Sequence, residues 1–292
     1  MSFKKTLVFF SLGLNALSIL LFIALVNYAI VNGYGVADIK LKIKRLANSS
    51  GIYSRRIVPE ELVSKYRLKT RAKDLLPDVS KFSFIHLGHT YPYKIFGLKR
   101  VQYSSFFNEI NPDFVLHSGD LTYDPSRLDY WRDSFFEVFK GVKAPIYISP
   151  SNHESYDGYN NFRRLIRDEI WYSFNVGKYH FVVLAYNDHS ETQNKWFLDE
   201  INNNKNVVVL LGGQDGYYQK IIGEIDHPNI KLVLAGDGLV YADSWIGKIR
   251  YLTSNDYFIR LITVDGDKIS WQTYCMFEDY ISSQFAFRYS EL

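Results

Sequence analysis

The chain has 292 residues, of which 47% are hydrophobic and 22% are charged, and its net charge is +3. This length and composition are those of a globular protein with one large domain and room for additional segments. The single cysteine, Cys275, excludes an intrachain disulfide and a cysteine-based zinc site.

The N-terminus predicts a membrane anchor. Residues 6–30 form a run of about 25 mostly apolar residues, long enough to span a bilayer with some tilt. Lys4 and Lys5 precede this run, which is longer than the apolar core of about 7–15 residues in a cleaved signal peptide. Residues 1–32 are therefore predicted to be an uncleaved signal-anchor that contacts membrane lipid as a single transmembrane helix.

Residues 33–80 predict a basic, partly helical stalk. They hold 11 Lys and Arg against 5 Asp and Glu, whereas residues 81–292 hold 21 against 26, a net charge of −5. Such a stalk suits contact with anionic lipid headgroups, although a solvated linker has the same composition. The acidic body has no basic stripe with interleaved aromatic residues, which argues against nucleic-acid binding.

The orientation in the membrane has two interpretations. Four basic residues between positions 40 and 45 outnumber the two lysines before the apolar run, and this count favours a cytoplasmic body. A short basic N-terminus ahead of an apolar core is instead typical of exported proteins. We predict a single-pass protein with an extracytoplasmic body.

From residue 81 the pattern predicts a layered α/β domain, residues 81–292, because short apolar runs alternate with helical stretches. The predicted strands are 82–87, 114–117, 146–149, 172–176, 180–186, 207–211, 231–235, 249–253, 258–264 and 268–274. The predicted helices are 103–110, 127–139, 160–170, 194–202 and 218–224. Ligand sites in such folds lie at the carboxyl ends of the strands.

Polar motifs follow three of these strands. They are IHLGHTYP at 85–92, Gly119-Asp120 with Tyr123-Asp124 soon after, and Asn152-His153. Their order resembles that of the calcineurin-like metallophosphoesterase family, in particular its purple-acid-phosphatase-like branch, and the resemblance covers about residues 82–275. The resemblance implies a two-sheet α/β sandwich in which two metal ions are held over a phosphate ester.

Most of the metal-ligand positions of that family are altered in this chain. His89 and Tyr91 replace an Asp and a His, Gly212 and Gly213 stand where a His is expected, and Asp237 and Leu239 replace two His of the last motif. The retained ligands are Asp120, which bridges the two ions in the family, and Asn152. Because two or three ligands per ion do not fix a pair about 3.5–4 Å apart, a dinuclear centre is not expected.

The remaining donors predict at most one cation. His89, Asp120, Asn152 and Asp237 are candidate ligands for one Mg²⁺, Mn²⁺ or Ca²⁺ ion rather than Zn²⁺, because most of their donor atoms are oxygens. The alternative is that these groups hydrogen-bond one another in a metal-free pocket.

Three further features have two interpretations each. His153 would protonate the leaving oxygen in an active enzyme, or it caps its turn by bonding to Asp120. The glycines at 212, 213, 216, 236 and 238 form an anion-binding nest of backbone N–H groups, or they remain from shortened ligand loops. His86 and His117, which lie within predicted strands, are predicted to be packed rather than metal-bound.

Three functions remain open. In the first, which we favour, the chain is a catalytically impaired member of the family that acts as a membrane-anchored binding or scaffold ectodomain. In the second, it is a metal-dependent hydrolase of phosphate mono- or diesters with a reduced, single-metal site. In the third, it is a structural envelope protein whose pocket binds no ligand. A phosphate ester is a candidate ligand in the first two, and the sequence does not predict an oligomeric state.

Overall fold

The computed structural model describes residues 79–91, 103–236 and 242–276, together with the backbone of Phe287–Glu291. The predicted anchor at 1–32, nearly all of the predicted stalk at 33–80, and Asp237 and Leu239 lie outside the described residues. Within the described ranges, no helix is both long and apolar enough to cross a bilayer.

One sheet of the described chain contains six strands in the order β12-β11-β10-β1-β2-β3. These strands are β1 Lys81–Leu87, β2 Phe114–His117, β3 Ile146–Ile148, β10 Phe258–Asp265, β11 Lys268–Cys275 and β12 Phe287–Glu291. Strands β1, β2 and β3 run parallel to one another, and β10, β11 and β12 join β1 as an antiparallel extension. The parallel part therefore brings the carboxyl ends of β1, β2 and β3 to the same edge of the sheet.

The second sheet, again counted over the described residues, has six strands in the order β4-β5-β6-β7-β9-β8. These strands are β4 Tyr172–Val176, β5 Tyr179–Leu184, β6 Val207–Leu211, β7 Ile230–Gly236, β8 Asp243–Ile246 and β9 Ile249–Ser254. The four inner strands are parallel, and β4 and β8 are antiparallel edges. Every residue of β5 and β6 is buried, as expected for parallel strands covered on both faces.

Helices cover the outer faces of both sheets. They are α1 Tyr103–Ile110, α2 Leu128–Trp131 continuing into the π-helical turn Arg132–Phe136, α3 Asn152–Ser155, α4 Asn160–Leu165, α5 Glu191–Asn203 and α6 Gly216–Ile225. Helix α5 begins at Ser190, whose hydroxyl accepts from the backbone N–H of Gln193, and α6 begins at Asp215, which accepts from two backbone N–H groups in the same way. Both residues satisfy donors that the first helical turn leaves without partners.

The core between the two sheets combines stacked aromatic rings with aliphatic side chains. Phe84 stacks on Phe114 at 4.9 Å between ring centroids, and Phe174 stacks on Phe181 at 5.0 Å. Two further apolar clusters lie outside the sandwich, one beneath α1 to α4 and one beneath α5 and α6. The molecule is thus a two-sheet α/β sandwich, and the fold predicted for this part of the chain is confirmed.

All ten predicted strands are present, with ends that differ by at most two residues. The prediction did not include β8 and β12, or the four-residue helix α3. Strand β8 has the half-buried sequence DSWI, which gives no clear alternation of apolar and polar residues. The helix predicted at 127–139 is a short α-helix followed by a π-helical turn, and the helix predicted at 160–170 ends at Leu165.

Candidate functional site

Three predicted site residues follow the parallel strands of the first sheet. His89 follows β1, Asp120 follows β2 and Asn152 begins α3 after β3. The backbone N–H of His89 donates to the carbonyl of Gly119 at 3.0 Å, which ties the first two loops together. His89, Gly119 and Asp120 all have positive φ angles of 58°, 73° and 56°, so the loops turn sharply enough to aim both side chains at the same edge.

The Asp120 carboxylate is buried and has protein partners on both oxygens. Its Oδ2 lies 2.8 Å from His89 Nε2, and its Oδ1 accepts a hydrogen bond from Ser151 Oγ. Burial acts to raise the pKa of Asp120, but the charge and hydrogen bond of His89 outweigh burial and lower the pKa to about 2. Burial likewise acts to lower the pKa of His89, and the charge of Asp120 overcomes it and raises that pKa. The two side chains therefore form a buried ion pair.

Glu154 is a central residue of the site that the sequence-based prediction did not assign. It is fully buried, and its carboxylate accepts from the backbone N–H groups of Asp120, Leu121 and Ser151 at 3.0, 2.8 and 2.9 Å. Ser151 and Glu154 form a capping box at the start of α3. The Ser-x-x-Glu spacing was the signal available in the sequence. Burial, followed by the charge of Asp120, raises the pKa of Glu154.

Asn152 and His153 are both held by neutral partners. The Asn152 side-chain amide donates to Tyr156 Oη at 2.8 Å, and His153 Nδ1 lies 3.1 Å from the carbonyl oxygen of Tyr123. Because a carbonyl only accepts, Nδ1 carries the hydrogen in this contact. His153 therefore caps the loop after β2 through the backbone of Tyr123 rather than through the Asp120 carboxylate.

The glycines at the ends of β6 and β7 form close backbone contacts. Gly213 N–H donates to Ser118 O at 2.8 Å, Gly236 N–H donates to Gly213 O at 3.2 Å, and Gly216 N–H donates to Gln214 O at 3.0 Å. A Cβ atom on Gly236 would lie 2.9 Å from Ser118 O, so a side chain there would collide with β2. For these three glycines the N–H groups bond to protein carbonyls, which favours shortened ligand loops over an anion-binding nest.

The described donors do not fit a dinuclear metal centre. Within 79–91, 103–236 and 242–276, no group of three or more His, Cys, Asp and Glu side chains converges on one point. His89 and Asp120 are bonded to each other, Asn152 bonds to Tyr156, and backbone glycines take the place of ligands at the end of β6. Asp237, the fourth candidate ligand, lies outside the described residues, so the single-cation site stays a prediction.

The two strand histidines are packed, as predicted. His86 is fully buried, with Nε2 2.7 Å from Ser118 Oγ and Nδ1 3.0 Å from Ser254 Oγ. Burial and the charge of Arg260 lower the pKa of His86 well below its usual value, so this ring is neutral. His117 Nε2 lies 3.1 Å from Thr90 Oγ1. Both rings join the loops at the strand ends to the sheet.

Comparison with known proteins identifies the fold. No protein-family model matches the chain, and no curated protein sequence matches it. The structure is similar to that of GAP50, described as the anchor in the inner membrane complex of Plasmodium, with 10% identity, a TM-score of 0.56, and coverage of 73% of this chain and 89% of that one.

Two further solved structures are similar over most of their length. One is a conserved Streptococcus pneumoniae protein described as a predicted phosphoesterase, with 14% identity, a TM-score of 0.38, and coverage of 73% of this chain and 98% of that one. The other is Vps29 of Cryptosporidium parvum, with 13% identity, a TM-score of 0.40, and coverage of 73% and 99%. At 10% identity the likeness to GAP50 shows the fold alone, a two-sheet α/β sandwich. The assignment to the calcineurin-like metallophosphoesterase family, and to its purple-acid-phosphatase-like branch, stays a prediction.

The buried ion pair predicts a stability that falls at both acid and alkaline pH. The lowered pKa of Asp120 contributes stability above its usual value of 3.8 that is lost as the pH falls towards 2. The raised pKa of His89 contributes stability below its usual value of 6.5 that is lost as the pH rises through the raised value. Denaturant titrations at a series of pH values should show the largest contribution between 3.8 and 6.5.

The variant His89→Asn removes the pair and keeps a residue type that tolerates a positive φ. In that variant the decline in the free energy of unfolding above pH 6.5 should be smaller than in the wild type. An unchanged alkaline decline would show that another group causes it.

Proposed function

We propose that this chain is a catalytically impaired protein with a metallophosphoesterase fold that acts as a membrane-anchored binding or scaffold ectodomain. The observation that carries the proposal is the state of the Asp120 carboxylate. A bridging carboxylate in a dinuclear centre binds the two ions through its oxygens. Here Oδ2 of Asp120 is instead paired with His89 Nε2, and Oδ1 accepts a hydrogen bond from Ser151 Oγ.

The positive charge of His89 takes the place of a metal ion beside Asp120. Its ring nitrogen lies 2.8 Å from the carboxylate, and it is 15% exposed, so the charge of Asp120 is neutralised without a cation. For His89 to bind a metal ion through Nε2, this hydrogen bond would have to break. A cation would therefore have to displace both the imidazolium proton and the existing ion pair.

The membrane anchor is part of the proposal. The apolar segment at 6–30 supports a single-pass anchor, and the likeness to a structure described as an anchor in a membrane complex is consistent with the same arrangement. We place the acidic body outside the cytoplasm. Protease protection on intact cells tests this placement, because digestion of the body only after lysis would contradict it.

A reduced hydrolase is the alternative function. His153 is half-buried at the same edge, and its Nδ1 hydrogen bond to Tyr123 fixes the ring. A fixed imidazole is what general acid catalysis requires. In this alternative His89, Asp120, Asn152 and Asp237 would hold one cation, which would polarise the phosphate ester, and His153 would protonate the leaving oxygen.

Metal analysis and turnover assays separate the two functions. Wild type, Asp120→Asn and His153→Ala are compared for hydrolysis of p-nitrophenyl phosphate and bis(p-nitrophenyl) phosphate with Mg²⁺, Mn²⁺, Ca²⁺ or Zn²⁺. We expect all three proteins to show only the background rate, and less than one equivalent of metal in the purified wild type.

Two results would contradict the proposal. Turnover by the wild type that Asp120→Asn and His153→Ala both abolish, with one bound cation, would establish the reduced hydrolase. Two tightly bound cations per chain would show that the donor set of the site has been misread.

A further inference from the structure

A group of aromatic rings surrounds the mouth of the site. This aromatic rim consists of Tyr91, Tyr123, Tyr130, His153 and Tyr156. Centroid distances are 4.7 Å for Tyr91–His153, 5.0 Å for His153–Tyr156, 6.1 Å for Tyr91–Tyr123 and 6.4 Å for Tyr123–Tyr130. The rings come from the loops after β1, β2 and β3 and from α2, so they form one continuous surface at the edge where the family carries its ligands.

The rim is held in position before any ligand binds. The Tyr123 backbone carbonyl contacts His153 Nδ1, and Tyr156 Oη accepts from the Asn152 amide. Tyr123 is nevertheless 50% exposed, so about half of its surface is accessible to a ligand. Tyrosines supply large contact areas with few rotatable bonds, and residues of this kind are enriched at the centres of protein interfaces.

Two acidic residues, Glu154 and Asp157, adjoin the rim residues His153 and Tyr156 in the chain. Both carboxylates accept hydrogen bonds from neutral donors, which are backbone N–H groups and the Ser151 hydroxyl. Burial, with a contribution from the charges of Glu154 and Asp124, raises the pKa of Asp157 to about 6, so its carboxylate is ionised above that pH. The positive charge of His89 is matched by Asp120, and residues 81–292 as a whole carry a net charge of −5.

Aromatic faces with negative charge behind them suit a cationic side chain. A guanidinium or ammonium group over a tyrosine ring is attracted by the ring quadrupole. The chain already contains this contact at the rim, where the Arg127 guanidinium lies 4.3 Å from the centroid of Tyr130. The neighbouring residue, Tyr123, is half exposed.

We propose that the aromatic rim binds a basic segment of a partner protein, with an arginine or lysine side chain placed over Tyr123. This inference rests on the proposed function as a binding ectodomain and names the chemistry of its partner. A phosphate ester is disfavoured at the same surface because it would bring negative charge towards Glu154 and Asp157.

The test uses the full-length chain in neutral detergent and three fluorescent hexapeptides. The probe alternates arginine with glycine, and the controls replace arginine by citrulline, its uncharged isostere, or by glutamate. We expect saturable binding of the arginine peptide and at least about tenfold weaker binding of both controls.

Tyr123→Ala should weaken arginine-peptide binding about tenfold, whereas Tyr123→Phe, which keeps the ring, should change it less than about twofold. Trp245→Ala, at a residue 57% exposed on β8 and outside the rim, should leave it unchanged.

Four outcomes would overturn the inference. Equal binding of the citrulline peptide would show that charge is not recognised, and equal losses in Tyr123→Ala and Trp245→Ala would show non-specific attraction. Binding that appears only after Lys40, Lys42, Lys44 and Arg45 are changed to Gln would identify the chain's own stalk as the occupant. The absence of peptide binding together with the absence of hydrolysis would remove this inference while leaving the loss of catalysis in place.

Discussion

Replacement of Glu154 by glutamine is expected to lower the free energy of unfolding by about 3 kcal/mol, because buried donors would lose their acceptor. The carboxylate accepts from three backbone N–H groups and from Ser151 Oγ. A glutamine amide has nearly the same shape but carries a donor N–H₂ group in place of one oxygen. Whichever way the amide is turned, at least one buried backbone N–H faces another donor.

Denaturant unfolding followed by tryptophan fluorescence measures this loss. Glu224→Gln is the matched control, because the Glu224 side chain is 67% exposed and pairs with Lys220 on the surface of α6. The control should change the free energy of unfolding by less than about 0.5 kcal/mol. A loss in Glu154→Gln no larger than in the control would mean that water replaces the carboxylate, and that Glu154 does not hold the loops after β2 and β3 together.

Gly119→Ala is expected to destabilise the protein by at least about 3 kcal/mol, because strain from backbone conformation and strain from collision add at this position. Gly119 has a φ of +73°, and an added Cβ would lie 2.6 Å from the Ser151 backbone nitrogen and 2.7 Å from the Ser149 carbonyl oxygen. Both contacts are to backbone of the neighbouring loop, so a change of side-chain rotamer cannot relieve them. Relief would require the loop after β3 to move, and that loop carries Asn152 and Glu154.

Gly266→Ala separates the two sources of strain. Gly266 also has a positive φ, +62°, but a Cβ atom there would meet nothing within 4 Å. The control variant should therefore lower the free energy of unfolding only through the strain of a positive φ, by about 1 kcal/mol. Thermal or denaturant unfolding of both variants provides the comparison. Similar losses of stability in the two variants would show that the loop after β3 moves at little cost, and that its close approach to Gly119 does not exclude a side chain there.

Binding of the arginine peptide by Gly119→Ala would show whether the position of this loop affects the aromatic rim. Gly119 lies between the strand and Asp120, and its carbonyl accepts from the backbone N–H of His89. A shift of this loop should disturb the ion pair and the aromatic rim together. If the variant folds, we expect it to bind the arginine peptide less well than Gly266→Ala does.

The strands could be predicted from the sequence because their signal is local. Continuous apolar runs such as VVVLL in β6 are buried on both faces. A strand buried in this way can be recognised from a few consecutive residues. The strands that were not predicted, β8 and β12, lie at sheet edges. The residues of β8 are half-buried or exposed, so the apolar pattern of that strand is weak. The helix predicted at 127–139 was located correctly, but the apolar pattern does not distinguish an α-helix from the π-helical turn that follows it.

The positions of the candidate site residues could also be predicted from the sequence. His89, Tyr91 and the glycines at 212 and 213 follow the predicted strands directly along the chain. Residue types alone, however, left two alternatives for this pocket, one cation or a hydrogen-bonded cluster. The role of Glu154 was missed, although its spacing from Ser151 was visible.

The sequence by itself determined the strands of the scaffold and the residue types at its candidate site, because apolar periodicity and residue identity are properties of short segments. Only the tertiary structure decided which partners those site residues have. The contacts of Asp120 with His89 and Ser151 each join residues about 31 positions apart, and the carboxylate of Glu154 reaches the backbone of a different loop. Such contacts depend on the parallel pairing of β1, β2 and β3, which places three distant loops at one edge of the sheet. They depend also on burial, because a buried charge without a partner destabilises the fold.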